Sequence, residues 1–429
     1  MALAAAQALA AALLLALGIQ ALLVVAFTLV VERRLRQRQR WPAEPEGGWP
    51  VAEVVLCLRG ADPTLPAVLM ALARQRYPGE WRLQLVLDSR QDPAWPLAEA
   101  LVARLEAGAA PARWLQARIA PLASSPRRGS RKCAALHQAF GALDPATELV
   151  ALVDADAVVA DDWLAALARA CWRPGIGAVS GNRWYVPAAG RLTGRVRACW
   201  NAAALVLMTL LGIAWGGSLA VRRQVIDAGP WRALLRSSLC EDTALARPLR
   251  QLGWRYEFRP ELLAVDRDAG PALAPLGRWI ARQLLTARLH HPGWPLVALH
   301  GAGTSLLLLA ALVLLALAAA LGQAAASALL AAALLAYGLG CVLLLLAIEA
   351  VAARALVPLG QAGDRRPAPR RAWDWCRGIP LSIAVHGLAT WRAWRGRRVE
   401  WRGVVYRVLA SPAQGGPAVE AIEPVAGQP

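Results

Sequence analysis

Two aspartates, Asp154 and Asp156, stand one residue apart at the end of the apolar run Glu148-Leu149-Val150-Ala151-Leu152-Val153. That run is short and partly β-branched, which predicts a buried strand. In extended backbone, residues i and i+2 share a side, so the two carboxylates converge. Side by side in an apolar chain they repel each other and lose hydration, which calls for a cation between them. Hard oxygen ligands suit Mg2+ or Mn2+, ions that keep several waters and share themselves with substrate phosphates. The plainer alternative is helix capping ahead of Trp163-Leu164-Ala165, although Asp161 and Asp162 already stand in place for that.

The elements around the pair alternate. Strands are expected at Val54–Leu58, Leu83–Leu87, near 113–119 and at 148–153, with helices at 64–76, 96–107 and 131–143 between them. This rhythm predicts an α/β domain with a mainly parallel sheet covered on both faces. Ligands of such sheets sit at the carboxyl ends of the strands. Asp88 ends its strand in Leu87-Asp88-Ser89 and so opens onto the same crevice as Asp154 and Asp156, unless it only forms a strand-end turn.

Composition sets the surroundings. The chain has 429 residues, 57% of them hydrophobic, more than a soluble domain carries, so part of it belongs in lipid. Residues 4–31, 296–321 and 324–348 are long and apolar enough to span a bilayer. Basic runs follow at 33–40 and again at Arg354 and 365–371. By the positive-inside rule these lie in the cytoplasm, which predicts a multi-pass inner (plasma) membrane protein with a cytoplasmic catalytic domain. Residues 195–214 read as a helix buried against that domain or lying in the interface, and 373–394 as an interfacial or re-entrant helix. The expected organisation is therefore a first span with its basic flank (1–40), a catalytic domain (41–290) and two spans (291–353). A basic, Trp-rich segment (354–410) and a disordered tail (411–429) follow. The net charge of +18 comes with 47 basic residues, of which only Lys132 is a lysine, and no nucleic-acid module accompanies it. Seven scattered cysteines and five histidines without ligand spacing exclude a disulfide framework and a zinc hydrolase.

A set of short motifs then falls in a fixed order: Arg59-Gly60-Ala61-Asp62-Pro63, Leu87-Asp88-Ser89, Arg131-Lys132-Cys133-Ala134-Ala135-Leu136, Asp154-Ala155-Asp156, Gly181-Asn182-Arg183-Trp184-Tyr185, Trp215-Gly216-Gly217-Ser218 and Cys240-Glu241-Asp242-Thr243. The chain in this way resembles membrane-bound family-2 glycosyltransferases, of the branch similar to ceramide glucosyltransferases and bacterial hopanoid-associated glycosyltransferases. Trp401-Arg402-Gly403-Val404-Val405-Tyr406 is similar to that branch's C-terminal Trp-Arg-Gly-x-x-Tyr.

The resemblance implies a glycosyltransferase A fold and an inverting transfer from a UDP-sugar to a membrane lipid hydroxyl. It also implies Asp88 at the nucleotide base, Asp154 and Asp156 on the metal at the pyrophosphate, and Asp242 as general base. Lys132 is a candidate phosphate contact or a solvated helix start. Trp184, beside Arg183, either stacks on a sugar or fills core. Gly217 fits close backbone approach to a ligand or a simple turn. Glu241 either serves the substrate site or closes a Ser238-x-x-Glu241 capping box. One departure stands out. The family's (Gln/Arg)-x-x-Arg-Trp element corresponds to Arg282-Gln283-Leu284-Leu285-Thr286, where Leu285-Thr286 replaces Arg-Trp, while Arg278-Trp279 lies one turn earlier. A processive polysaccharide synthase and an inactive nucleotide-sugar or lipid-binding scaffold are the competing readings.

Overall fold

The structure, a computed structural model, describes the chain except residues 43, 110–112, 188–190, 268–269, 358–362, 365, 410–418 and 425–429. After helix α1 (Ala2–Gln39) come β1 (Ala52–Leu58), α2 (Leu65–Leu72), β2 (Trp81–Leu87), α3 (Trp95–Arg104) and β3 (Trp114–Pro121). Next are α4 (Arg131–Gly141), β4 (Leu149–Val153), α5 (Trp163–Cys171), β5 (Ile176–Ser180), β6 (Arg183–Tyr185) and α6 (Leu192–Leu211). Then follow β7 (Ser218–Arg222) and the short helices α7 (Arg223–Ala228), α8 (Trp231–Leu235), α9 (Glu241–Ala244) and α10 (Ala246–Gln251). The domain closes with β8 (Arg255–Phe258), β9 (Ala264–Asp266) and α11 (Leu273–His290).

Seven strands make one sheet in the order β3-β2-β1-β4-β7-β5-β8. β1 pairs in parallel with β2 and β4, and β2 with β3, whereas β7 runs antiparallel between β4 and β5. The central strands read as continuous apolar runs because both faces are covered. All five residues of β4 are buried. One face packs against α2, α3 and α5 through Leu56, Leu85 and Leu164, and the other against α4 and α8 through Val55, Leu136 and Trp231. Register fixes the geometry of the crevice. Leu58 lies opposite Leu87 and Leu56 opposite Val153, so Asp88 and Asp154 leave the sheet at one edge. Val153 also faces Ser218, which brings the start of the antiparallel β7, and Gly217 before it, to that edge.

Among the described residues, three helices are long and apolar enough to cross a membrane: Ala2–Gln39, Trp294–Ala320 and Ala324–Leu356. The second comprises α12 (Trp294–Ala298) and α13 (Thr304–Ala320), and the third is α14. Helix α1 packs on α13 and α14, and Gln20 Nε2 donates to the Tyr337 hydroxyl at 2.9 Å. Arg34 joins the end of α1 to Glu257 of β8 at 2.7 Å. Helix α6 is not among the three. Its residues from Gly194 to Val206 are largely buried, against β6, α1 and the long helix α15 (Ala368–Arg395). That helix is amphipathic and carries Pro380; it lies along α6, α11 and α14, with Arg195 on its Asp374 at 2.8 Å.

The C-terminal part departs from the sequence reading. Strands β10 (Arg398–Trp401), β11 (Val404–Val408) and β12 (Val419–Pro424) form a small antiparallel sheet, so 354–410 is not wholly an interfacial segment. Nor is 411–429 wholly disordered, although 411–418 and 425–429 lie outside the described residues. Val419 is fully buried; its carbonyl accepts from Gly129 N at 2.8 Å and its N–H donates to Ser237 O at 3.0 Å. The alternation that would announce β12 is only six residues long and lies in a Pro/Gly/Ala-rich context.

Candidate active site

A cavity of about 310 Å³ opens at the strand ends, and Asp88, Asp154, Asp156 and Asp242 all line it. Each carboxylate has partners. Asp88 pairs with Arg59 and, through Oδ1, with Arg131 Nη1 at 2.7 Å. Arg131 and Lys132 open α4, whose start is fixed by Ser130 Oγ accepting from Cys133 N at 3.1 Å. Lys132 Nζ lies 2.6 Å from Asp154 Oδ1 and 2.7 Å from Glu241 Oε1. Burial alone would lower the Lys132 ammonium, but the two flanking carboxylates overcome it and hold it well above its ordinary value. Asp156 meets Arg183 in a two-point contact, at 2.7 and 3.0 Å. Burial opposes its ionisation, and the guanidinium prevails, bringing its carboxyl down to about 2.

Asp242, at the start of α9, is held by three donors. Gly216 N reaches its Oδ2 at 2.8 Å, and Thr243 N and Cys240 Sγ reach Oδ1 at 2.6 and 3.0 Å. The close approach depends on the Gly216-Gly217 pair. A methyl at Gly216 would collide with Glu241 Oε1, and one at Gly217 would overlap the Trp215 ring and lie 2.8 Å from Asp154 Oδ2. The loop before Asp242 is fastened from α11, because Leu239 N donates to His290 Nε2 at 3.2 Å. Burial pushes the His290 imidazole down to about 4, which keeps it a neutral acceptor. The unfolded chain, with its ordinary histidine near 6.5, therefore binds more protons than the folded chain between those values. Stability falls as pH drops from about 6.5 toward 4. We expect the melting temperature in detergent to decline over that window, and His290→Gln to flatten the decline.

The structure brings most of the sequence candidates together. Asp88, Lys132, Asp154, Asp156, Arg183, Asp242, Arg282 and Gln283 line the one cavity. Trp184, Gly217 and Glu241 do not. Trp184 is buried among Val24, Phe27 and Leu205, so it fills core, and its neighbour Tyr185 faces the cavity instead. Glu241 is fully buried behind Lys132, and Ser238 Oγ donates to Leu234 O at 2.8 Å, so the capping box does not form. Gly217 acts from behind, as the spacer beside Asp154.

The departure at Leu285-Thr286 has a structural counterpart. Trp279, one turn earlier on α11, lines the cavity and packs edge-on to Trp200, ring centres 5.2 Å apart. With the Gln283 amide turned so that its oxygen faces donors, Trp279 Nε1 and Arg282 Nη2 each donate to it at 3.2 Å. Arg282 lies over the Trp401 ring at 4.8 Å.

Sequence reasoning gave no roles to Trp401, Arg402 and Tyr406, which also line the cavity. Arg402 and Gly403 form the two-residue turn between β10 and β11, with φ of 48° and 71°, the pairing a type I′ hairpin turn requires. The turn docks on the edge of the catalytic domain, where Arg59 Nε donates to Arg402 O at 2.7 Å and Arg402 Nη2 meets Asp62 at 3.1 Å. Tyr406 accepts from Arg131 N at 3.3 Å. The Trp-Arg-Gly-x-x-Tyr spacing was the available signal, since Trp401 and Tyr406 flank a glycine turn.

A mainly parallel sheet with carboxylates at one edge, a cavity lined with cationic side chains and three apolar helices together define a membrane-associated glycosyltransferase of the A type. The chain belongs to glycosyl transferase family 21, whose family model matches residues 13–413. The motif resemblance named family 2; the matching family is 21. No curated protein matches the chain. Among solved structures it is similar to the mannosyltransferase PcManGT from Pyrobaculum calidifontis in complex with GDP-Man and Mn2+. The TM-score is 0.45 at 19% identity, covering 89% of this chain and 99% of that one. It is also similar to the glucosyl-3-phosphoglycerate synthase of M. tuberculosis, with TM-score 0.36, 18% identity, and 58% and 84% coverage. The form of that enzyme in complex with UDP gives 0.35, 20%, 58% and 83%.

Proposed function

We propose that this glycosyltransferase moves a sugar from a UDP-sugar to a hydroxyl of a membrane lipid with inversion, making a glycolipid at the cytoplasmic face of the inner membrane. The observation that carries the reading is the meeting of Asp88, Asp154, Asp156 and Asp242 on one cavity whose far wall is built by α6, α11 and α12, next to the apolar spans. The basic flanks of those spans support the cytoplasmic side.

In this reading Asp88, with Arg59 and Arg131, forms the nucleoside end of the cavity. Asp154 and Asp156 hold Mg2+ or Mn2+. Both are hard oxygen donors, both keep partly exposed carboxylates on the cavity, and Gly217 itself sets no side chain against Asp154 Oδ2. The ion, when bound, offsets charge developing on the departing diphosphate. Lys132 and Arg183 add fixed positive charge beside it. Asp242, oriented by Gly216 N, Thr243 N and the Cys240 thiol, takes the proton of the attacking hydroxyl. Trp279, Trp200 and Tyr185 line the acceptor side.

The test is a comparison of lipid extracts by mass spectrometry from cells with and without the intact chain. The reading expects a glycolipid present only with the active protein. Unchanged glycolipids, with labelled sugar appearing in polymer, would favour a polysaccharide synthase.

A further inference from the structure

A second cavity, of about 120 Å³, lies inside the helical bundle between α1, α6, α13, α14 and α15. Its wall is mainly apolar, with Leu23, Val24, Ala203, Leu344, Leu345 and Ile383. Gln20 and Tyr337, near the midpoints of their spans, also line it, which sets it at the depth of the hydrocarbon core. Trp200 and Leu207 line both this cavity and the catalytic one, so one layer of α6 side chains divides them.

Close-packed interiors leave few voids of this size. The cavity also holds a polar group that lacks a partner. His300 Nδ1 is buried with no hydrogen-bond partner among the described residues, and the His386 ring lies 5.7 Å away, centre to centre. Unpaired polar groups at this depth are costly and commonly mark a ligand path.

We propose that this cavity receives a hydrocarbon chain of the acceptor lipid while the lipid's hydroxyl sits beside Asp242 in the catalytic cavity. Trp200 and Leu207, the layer dividing the two cavities, swing aside to let the acceptor pass between them, and His300 meets a hydrogen-bonding group on it. The inference rests on the lipid-acceptor reading above and adds where the lipid's tail is held.

The test uses the full chain in phosphatidylcholine–phosphatidylglycerol nanodiscs, with ceramide and diacylglycerol as acceptors and UDP-glucose, UDP-galactose and UDP-N-acetylglucosamine as donors. Ala203→Trp fills the cavity from α6, and Ile383→Trp from α15. Each is expected to raise the acceptor KM at least tenfold with UDP affinity within twofold of wild type. His300→Phe is expected to raise it at least threefold. UDP affinity reports folding, and whichever tryptophan variant retains it decides the matter. Wild-type acceptor KM in that variant overturns this inference alone and places only a bulk lipid chain in the cavity. Failure of the wild type to glycosylate either lipid overturns the lipid-acceptor reading and this inference with it.

Discussion

Asp242→Asn is expected to lower sugar transfer by about 10²–10⁴-fold, the range general-base catalysis contributes, while UDP affinity stays within about twofold. The amide has the carboxylate's shape, so its oxygen still accepts from Gly216 N or Thr243 N and the loop keeps its place. What disappears is the ability to take the hydroxyl proton. A loss of about 1,000-fold corresponds to roughly 4 kcal/mol of transition-state stabilisation. On the proposed reading the loss belongs in kcat, because the nucleoside end of the donor is assigned to Asp88 and Arg131 and not to Asp242. A single-turnover assay with labelled UDP-sugar separates the two quantities. Transfer at more than a tenth of the wild-type rate would remove Asp242 from the mechanism.

Asp156→Ala is expected to lower turnover by about 10²–10³-fold, the effect typical of losing one preorganised electrostatic contact to a developing charge. Two contributions go together. On the proposed reading the variant loses a ligand for the divalent ion, and it frees the half-buried Arg183 guanidinium, which keeps only Asp266 at 3.4 Å among the carboxylates described near it. Treating the wild type with EDTA should cost a similar factor. EDTA added to the variant should cost little more if, as proposed, the carboxylate and the ion act as one unit, since their losses then do not add. Equal EDTA sensitivity in both proteins would place the metal elsewhere. Because Arg183 holds the Asp156 carboxyl near 2, no rise in its protonation is expected to limit activity above about pH 4.

The legible part of the molecule was the part carried by local pattern. Apolar runs ending in Asp88 and Asp154 announced parallel strands, and strand-end placement followed from the rule for open α/β sheets. The three long apolar helices and the amphipathic 368–395 helix were equally local. What failed depended on partners far along the chain. The antiparallel insertion of β7 between β4 and β5 is set by pairing, which alternation alone does not encode. Ser238 and Glu241 have the spacing of a capping box, yet Glu241 is drawn into the ion pair with Lys132, more than a hundred residues earlier. Trp184 and Tyr185 differ by one place on a three-residue strand, and strand phase sends the tryptophan to the core. The hairpin carrying Trp401, Arg402 and Tyr406 closes the cavity through contacts with Arg59 and Asp62, some 340 residues away in sequence.

The most direct test of the central claim is a calorimetric titration of the full chain with UDP, with Mn2+ and with EDTA, in wild type and Asp154→Asn. Convergence of the aspartates on a diphosphate and its cation predicts binding that weakens at least tenfold without the ion, and a variant whose affinity is low under both conditions. UDP affinity indifferent to Mn2+ and to Asp154→Asn would contradict it.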